Sequence, residues 1–533
     1  MEIYLNKSSK KNLLFFFFFS TIMLFKKERT NKMEKVKEKV KEKLKSITLK
    51  QWHIALIVVG IIFVSLGAFH NNLWFDECYS AGLARHTFGE IWTIGGNDVH
   101  PILYYWMLRI VYLLTGGSIM AYKIFSVIPI AIMIILGYTH IRKDFGEKTG
   151  FIFSFLCAFL PEMAQYAIEV RMYSWAILTV TVLAIYAYRL AKEDTTKNWI
   201  IFGISSLMSI YLHYYGLMAA GLINVFLLIY LIVKKRKKGI IFIVSMGIVQ
   251  AVAYLPWLVN FARQLGNVSS GYWIGFSFPQ TPMELLSSQL AGYVRTSGYT
   301  GLLVPTVFAL ELYGYMIYKT YKYAKAKENL NAFKWSVIVY FAVILAAIII
   351  TAVMKTSILY YRYLFVITGL YIFAISFILG KEQNKVEIVS ILSVIAILGI
   401  YNNVGLMQEN YSKTNMEPIN YMQENIQEGD TIAFANLGGG FVLSIHFVDN
   451  QVYFYNADNW GVEEAYKAFG PNYDTVVNKE FVKECSNRVW IVDDPNGKFY
   501  EDVFKEEGYN KVSEKEYSTK YHGYNYKIML IEK

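Results

Sequence analysis

The sequence predicts a mainly α-helical membrane protein: a bundle of about eleven transmembrane helices, interfacial helices on its outer face, and a small C-terminal α/β domain. Three observations carry this. Apolar runs of about 18 to 23 residues recur along most of the chain, the length that crosses roughly 30 Å of hydrocarbon at 1.5 Å per residue. Of 533 residues, 55% are hydrophobic and only 17% charged, against roughly 25% charged in soluble domains. After residue 404 the pattern changes to short alternating runs of soluble character.

Three regions follow: a basic arm over 1–51, the transmembrane part over 52–403, and an extracytoplasmic α/β domain over 404–533. In the arm, Leu13–Phe25 is apolar but too short to span. It reads as a signal-like stretch or, preferably, as mis-started or disordered sequence ahead of an initiator at Met33. Met33–Lys50 is rich in Lys and Glu and reads as a solvated helix former. Spans are expected at 52–70, 119–141, 151–168, 172–190, 198–214, 216–233, 239–258, 302–319, 335–354, 363–380 and 387–403.

Charge sets the orientation. Arg142, Lys143 and Lys148, then Arg189, Lys192 and Lys197, then Lys234–Lys238, Lys319–Lys334 and Lys381 with Lys385 all fall on the side of the basic arm. That side is the cytoplasm by the positive-inside rule, and an odd number of crossings puts the C-terminus outside. Residues 1–50 hold 14 Lys/Arg against 5 acids, and 408–533 hold 12 against 21. The net charge of +11 therefore reflects membrane topology and not a nucleic-acid partner. Cys78, Cys157 and Cys485 are far apart and match no metal-ligand spacing or disulfide framework.

Three outer segments are long: 71–118, 255–301 and 404–533. The first holds two amphipathic stretches, Tyr79–Ile94 and Pro101–Leu114, the second with Arg109 expected to snorkel at the interface. In the C-terminal domain, strands are expected at Thr431–Ala435, Gln451–Tyr455, Arg488–Val492 and Tyr526–Glu532, with helices at Val462–Phe469 and Tyr500–Glu507.

Four clusters sit at the outer helix ends. Trp74-Phe75-Asp76-Glu77 puts two carboxylates at a lipid–water boundary, where a charge must be paired or used. A carboxylate there can take a proton from an acceptor hydroxyl as it attacks a sugar; otherwise the pair marks the end of the first span. Asp98 and His100 precede Pro101 at the start of the interfacial helix, as a site or as a plain helix start. Glu169-Val170-Arg171-Met172-Tyr173 supplies a guanidinium suited to two phosphate oxygens, unless Arg171 pairs with Glu169. Lys355 and Arg362 lie among aromatics at the last exit, where inside-positive bias does not explain a cation. His213-Tyr214-Tyr215 is weaker, and reads as an interfacial histidine with its partners.

These clusters resemble the bacterial family 39 glycosyltransferases, relatives of protein O-mannosyltransferases and of the lipid A aminoarabinose transferase, within the GT-C superfamily. The resemblance rests on Trp74-Phe75-Asp76-Glu77, Asp98 with His100-Pro101 and Tyr104-Tyr105, Arg171-Met172-Tyr173, His213-Tyr214-Tyr215-Gly216, Tyr272-Trp273-Ile274 and Arg362-Tyr363-Leu364. They occur in the family's order over about 52–380. The usual His-Pro-Pro is His100-Pro101-Ile102 here.

The resemblance implies a GT-C-type bundle and an inverting hexosyl or pentosyl transfer from a polyprenyl-phosphate sugar donor. An unidentified protein, glycan or lipid of the envelope accepts the sugar on the outer face. It makes Asp76 the catalytic base with Glu77 as helper, and Arg171 the residue that binds the leaving phosphate. Asp98, His100, Tyr173 and Arg362 complete the substrate-binding set. A divalent metal stays open: Asp76, Glu77, Asp98 and His100 could supply ligands, but their spacing does not demand one. Two other readings share the topology, a transporter or flippase for lipid-linked sugars and a surface-polysaccharide polymerase or ligase. A transporter would place its charges near mid-membrane; here they cluster at the outer ends.

Overall fold

The computed structural model describes residues 48–292 and 298–533. The expectations for Leu13–Phe25 and for the arm up to residue 47 lie outside the described residues. Residues 56–533 form one compact unit holding both a helical bundle and a C-terminal sheet.

Among the described residues, nine helices are long and apolar enough to cross a membrane, and a bent pair makes ten. The pair, Glu147–Phe159 and Pro161–Ile168, is bent by 60° where the sequence predicts one straight span over 151–168. Pro161 is the cause. Its ring keeps Leu160 extended, at ψ 131°, and its missing N–H is harmless at a helix start. The last long helix, Lys385–Asn410, clamps the break. Gly399 packs so tightly on the Phe159 carbonyl that a Cβ would stand 1.9 Å from the oxygen, and Asn402 Nδ2 donates to the Pro161 carbonyl at 2.6 Å.

The span expected at 198–214 is the helix Thr196–Leu212, 17 residues long. At 1.5 Å per residue it measures about 26 Å, just short of the hydrocarbon core. It carries buried Ser205, Ser206 and Ser209 and is less apolar than the following helix Tyr214–Val233. It survives by packing along Tyr173–Lys192, its Ser209 Oγ donating to Thr179 Oγ1 at 3.0 Å.

The basic loops of the bundle gather at one end. Arg189 pairs with Asp144 at 2.9 Å, Lys319 with Glu382 at 2.5 Å and Lys381 with Glu328 at 2.6 Å. Lys148 donates to the Glu382 carbonyl and Arg236 to that of Leu190. Helices such as Tyr173–Lys192, 20 residues long, carry the chain from there to the opposite end about 30 Å away.

At that opposite end lie three short helices, Phe75–Leu83, Phe88–Gly95 and Leu103–Thr115. Thr87 and Glu90 form a capping box that starts the second. Arg109 does not snorkel as the sequence predicts. Its guanidinium donates to the Ala84 and Arg85 carbonyls at 3.3 and 2.8 Å, closing the C-terminal end of Phe75–Leu83, where orphan carbonyls carry negative charge. The helix Lys237–Tyr254 runs on through Leu255–Trp257 into Leu258–Ser270, too long for the bilayer. Its projecting part packs on the outer loop, with Gln264 donating to the Gly95 and His100 carbonyls at 3.0 and 3.1 Å.

The C-terminal sheet has six strands: β1 (Thr431–Phe434), β2 (Gln451–Tyr455), β3 (Tyr473–Val476), β4 (Arg488–Asp493), β5 (Asn510–Ser518) and β6 (Asn525–Glu532). Their order is β3-β2-β1-β4-β6-β5. β3, β2, β1 and β4 are parallel, and β6 and β5 join antiparallel. Four strands match the sequence expectation. β3 and β5 are additional, and both are edge strands, where polar residues replace the apolar signal.

Gly399→Val should lower the thermal midpoint of the purified protein, because overpacking a helix contact costs about 1–3 kcal/mol. Gly247→Val, facing open space inside the helix Lys237–Tyr254, is the matched control and should not lower the midpoint.

Candidate active site

Residues from all four clusters named from sequence converge at the end of the bundle away from the basic loops, beside the turn between β5 and β6. Glu77 is the best-determined member. It stands at the third position of Phe75–Leu83 and accepts from the Trp74 backbone N–H at 3.1 Å, as in a capping box. It also accepts from Lys123 Nζ at 3.1 Å, the Val170 N–H at 2.8 Å and the Tyr521 hydroxyl at 3.0 Å. Glu77 and Lys123 are both fully buried. Every lone pair of the carboxylate is engaged, so Glu77 holds segments together and presents no free oxygen to a ligand.

Asp76, one position earlier, turns the other way. Its side chain keeps 28% exposure and receives Arg362 Nη1 on Oδ2 at 2.8 Å. The Arg362 guanidinium lies 4.7 Å from the Trp74 ring centre and 5.4 Å from that of Tyr360, a stacked position that suits arginine over lysine. Arg171 reaches the same helix by another route. Its Nη1 donates to the Asp76 backbone carbonyl and to Ser80 Oγ, both at 3.2 Å, and Nη2 lies 3.2 Å from His100 Nδ1. Arg171 is buried, and Asp76's carboxylate pairs with Arg362 instead.

Asp98 Oδ2 accepts from the Tyr105 hydroxyl at 2.8 Å and lies 3.3 Å from His100 Nδ1. Burial opposes its charge, but His100 and then Arg171 hold the Asp98 carboxyl below its ordinary range. Tyr173 is buried beside His213, with ring centres 5.6 Å apart. His213 in turn lies 5.6 Å from His100 and 5.0 Å from Tyr363. Its expected interfacial place is instead a buried one between the Arg171 and Arg362 segments. Among the described residues, no three His, Cys, Asp or Glu side chains cluster as metal ligands.

Lys123 and His522 escape the sequence reading, and Glu169 enters it only as a partner for Arg171. Lys123 does carry a signal, a lone cation in the apolar helix Ile119–Leu136. Glu169 is buried with its Oε1 unpartnered among the described residues. Burial raises its carboxyl to about 7, against the opposing pull of Arg362. His522 has no sequence signal at all. It lies between β5 and β6 in the left-handed region, at φ 54°, and stacks on Trp74 at 4.7 Å with the ring planes 2° apart. The same turn gives Tyr521 to Glu77 and the Tyr524 hydroxyl to the Phe75 N–H at 3.1 Å.

Beside Tyr360 and Tyr361 a pocket of about 330 Å³ opens between Trp273–Glu284 and Leu359–Tyr361. Exposed Trp273, Phe276 and Phe278 rim this region.

Comparison with known proteins agrees with this architecture. Residues 99–259 match the family described as dolichyl-phosphate-mannose-protein mannosyltransferase. In structure the chain is similar to ArnT from Cupriavidus metallidurans in the apo state, with a TM-score of 0.59 and 10% identity over 90% of this chain and 98% of that one. It is also similar to ArnT from the same organism bound to undecaprenyl phosphate, with a TM-score of 0.55 and 12% identity over the same shares. No curated relative matches the chain in sequence. The protein therefore has an ArnT-like fold.

Lys123→Met should lower the thermal midpoint strongly, because an uncompensated buried Glu77 costs about 3–5 kcal/mol. Adding Glu77→Gln should recover part of the loss. Glu169 gives a pH signature. Its folded carboxyl titrates above the ordinary value, so stability is lost as pH rises through about 4.5 to 7. The midpoint of wild type relative to Glu169→Gln should fall between about pH 4.5 and 7 and then level off; a constant difference would contradict the assignment.

Proposed function

We propose that this chain is a membrane glycosyltransferase that moves a sugar from a polyprenyl-phosphate carrier to an acceptor hydroxyl on the outer face. The observation that carries the reading is the partly exposed Asp76–Arg362 pair at 2.8 Å, beside the turn that stacks His522 on Trp74. Similarity to ArnT, which has been crystallised with undecaprenyl phosphate, supports a lipid-phosphate donor.

The chemistry divides between the two charges. The acceptor oxygen forms its bond to the anomeric carbon while its proton passes to the Asp76 carboxylate. The carbon–phosphate oxygen bond breaks on the far side, so the transfer is a single inverting displacement. The lipid phosphate leaves with the electron pair, and a guanidinium meets the charge that grows on it. Arg362 suits that task better than Arg171, whose Nη1 and Nη2 both already have neighbours. Arg171 fixes the backbone under Asp76 and the His100 ring, so it acts as a positioning residue. Asp98, His100 and Tyr173 form the wall behind it.

The pocket at Trp273 and Tyr360 supports lateral entry of the lipid carrier, its aromatic rim facing the acyl region. Acceptor then approaches past Trp74 and His522. By the positive-inside rule the gathered basic loops support a cytoplasmic position for their own end of the bundle, with the C-terminal sheet outside.

Asp76→Asn should abolish transfer, read as loss of a sugar-modified product in mass analysis of envelope glycoconjugates, while the protein stays folded and inserted. Arg362→Lys should cost at least about tenfold in rate, since a point charge replaces a bidentate fork. Persistence of the product with Asp76→Asn would remove this residue from the mechanism.

A further inference from the structure

At the basic end of the bundle, remote from the candidate active site, lies a cavity of about 600 Å³, within the size range of ligand sites. Its walls are apolar, led by Phe153, Phe226, Trp335, Phe373 and Phe377. Its depth is informative. Along the helix Tyr173–Lys192 the lining runs from Thr181 to Lys192, about 16 Å at 1.5 Å per residue. One leaflet's share of a roughly 30 Å hydrocarbon core is about the same.

The cavity also has a floor. Gly369 and Thr181 both line it, and they touch so closely that a Cβ on the glycine would stand 1.8 Å from Thr181 Oγ1. A lipid tail from the other leaflet finds no way through this contact.

The lip is polar and carries uncompensated positive charge. Asp144 is neutralised by Arg189 and Lys381 by Glu328. Lys192 has no carboxylate partner among the described residues. It is exposed and sits 4.4 Å over the Tyr188 ring, which also lines the cavity. An apolar slot one leaflet deep, closed below and basic above, fits an amphiphile with one negative head. Basic pockets between helices on this side of a membrane take anionic headgroups.

We propose that this cavity is a binding site for an anionic phospholipid of the leaflet on the basic-loop side, one acyl chain filling the slot and the phosphate meeting Lys192. The site is separate from sugar transfer and does not depend on that reading.

The test uses the full-length, delipidated protein with phosphatidylglycerol, phosphatidylcholine or undecaprenyl phosphate, and native mass spectrometry as readout. Wild type should retain one phosphatidylglycerol per chain, with about fivefold preference over phosphatidylcholine. Lys192→Gln should abolish that preference while leaving lipid retention. Ala184→Phe and Ala187→Phe, which fill the wall, should each cut retention of phosphatidylglycerol and leave that of undecaprenyl phosphate unchanged. Equal retention of the two phospholipids by wild type would overturn the proposal, as would retention indifferent to both filling changes, or selective loss of undecaprenyl phosphate on filling. Lys192 is exposed, so its variant keeps the test decisive if a filling variant fails to fold.

Discussion

A carboxylate withdrawn from water fixes the geometry of the outer site. Removing the charge of Glu77 from solvent costs several kcal/mol even after relaxation, and the protein offsets this with donors from Trp74, Lys123, Val170 and Tyr521. Each donor belongs to a different part of the chain: the helix start, an apolar span, the bent pair's exit and the C-terminal turn. The neighbours of those donors inherit fixed positions. Asp76 follows from Glu77, Arg171 from Val170 and His522 from Tyr521. A site assembled from distant segments thus hangs on one fully satisfied buried charge.

The two arginines beside it differ in what they have left to offer. Arg171 commits Nη1 and Nη2 to a backbone carbonyl, a serine and a histidine, which leaves only its buried Nε unpartnered among the described residues. Arg362 makes one ion pair, lies against the faces of Trp74 and Tyr360 and keeps part of its side chain exposed. Trp74 also carries His522. A non-glycine residue in the left-handed region costs roughly 1–2 kcal/mol, and the structure accepts it where the C-terminal domain meets the cleft. The parallel strands of that domain direct their carboxyl ends toward the same place: the loop after β1 leads into the helix Gly439–Ser444, whose Phe441 ring packs 5.8 Å from Phe75. Crevices at such strand ends are where open α/β sheets meet their ligands.

The bundle is polar at both ends, with different chemistry. At the end that holds the candidate active site most charges are buried and paired, as Glu77 is with Lys123 and Asp76 with Arg362. At the other end they form rim pairs such as Lys381–Glu328 and Arg189–Asp144 around an apolar slot. The contact of Gly369 with Thr181 separates the two.

The sequence by itself determined the membrane class, most of the spans, the four strands expected at 431–435, 451–455, 488–492 and 526–532, and the short clusters that meet at one end of the bundle. Hydrophobic length and period are local properties, so residues within one helix or strand suffice to read them. The tertiary structure alone decided the rest. Pro161 could be seen, but not the 60° bend that Gly399 and Asn402 clamp. Arg109 could be placed on an amphipathic face, but its carbonyl partners lie about 25 residues away. Arg362 rather than Arg171 pairs with the Asp76 carboxylate across 286 positions, and His522 reaches Trp74 only because an edge hairpin of the sheet folds back over the bundle. Such choices depend on which distant groups share a buried volume and satisfy one another's charges. No local pattern records that.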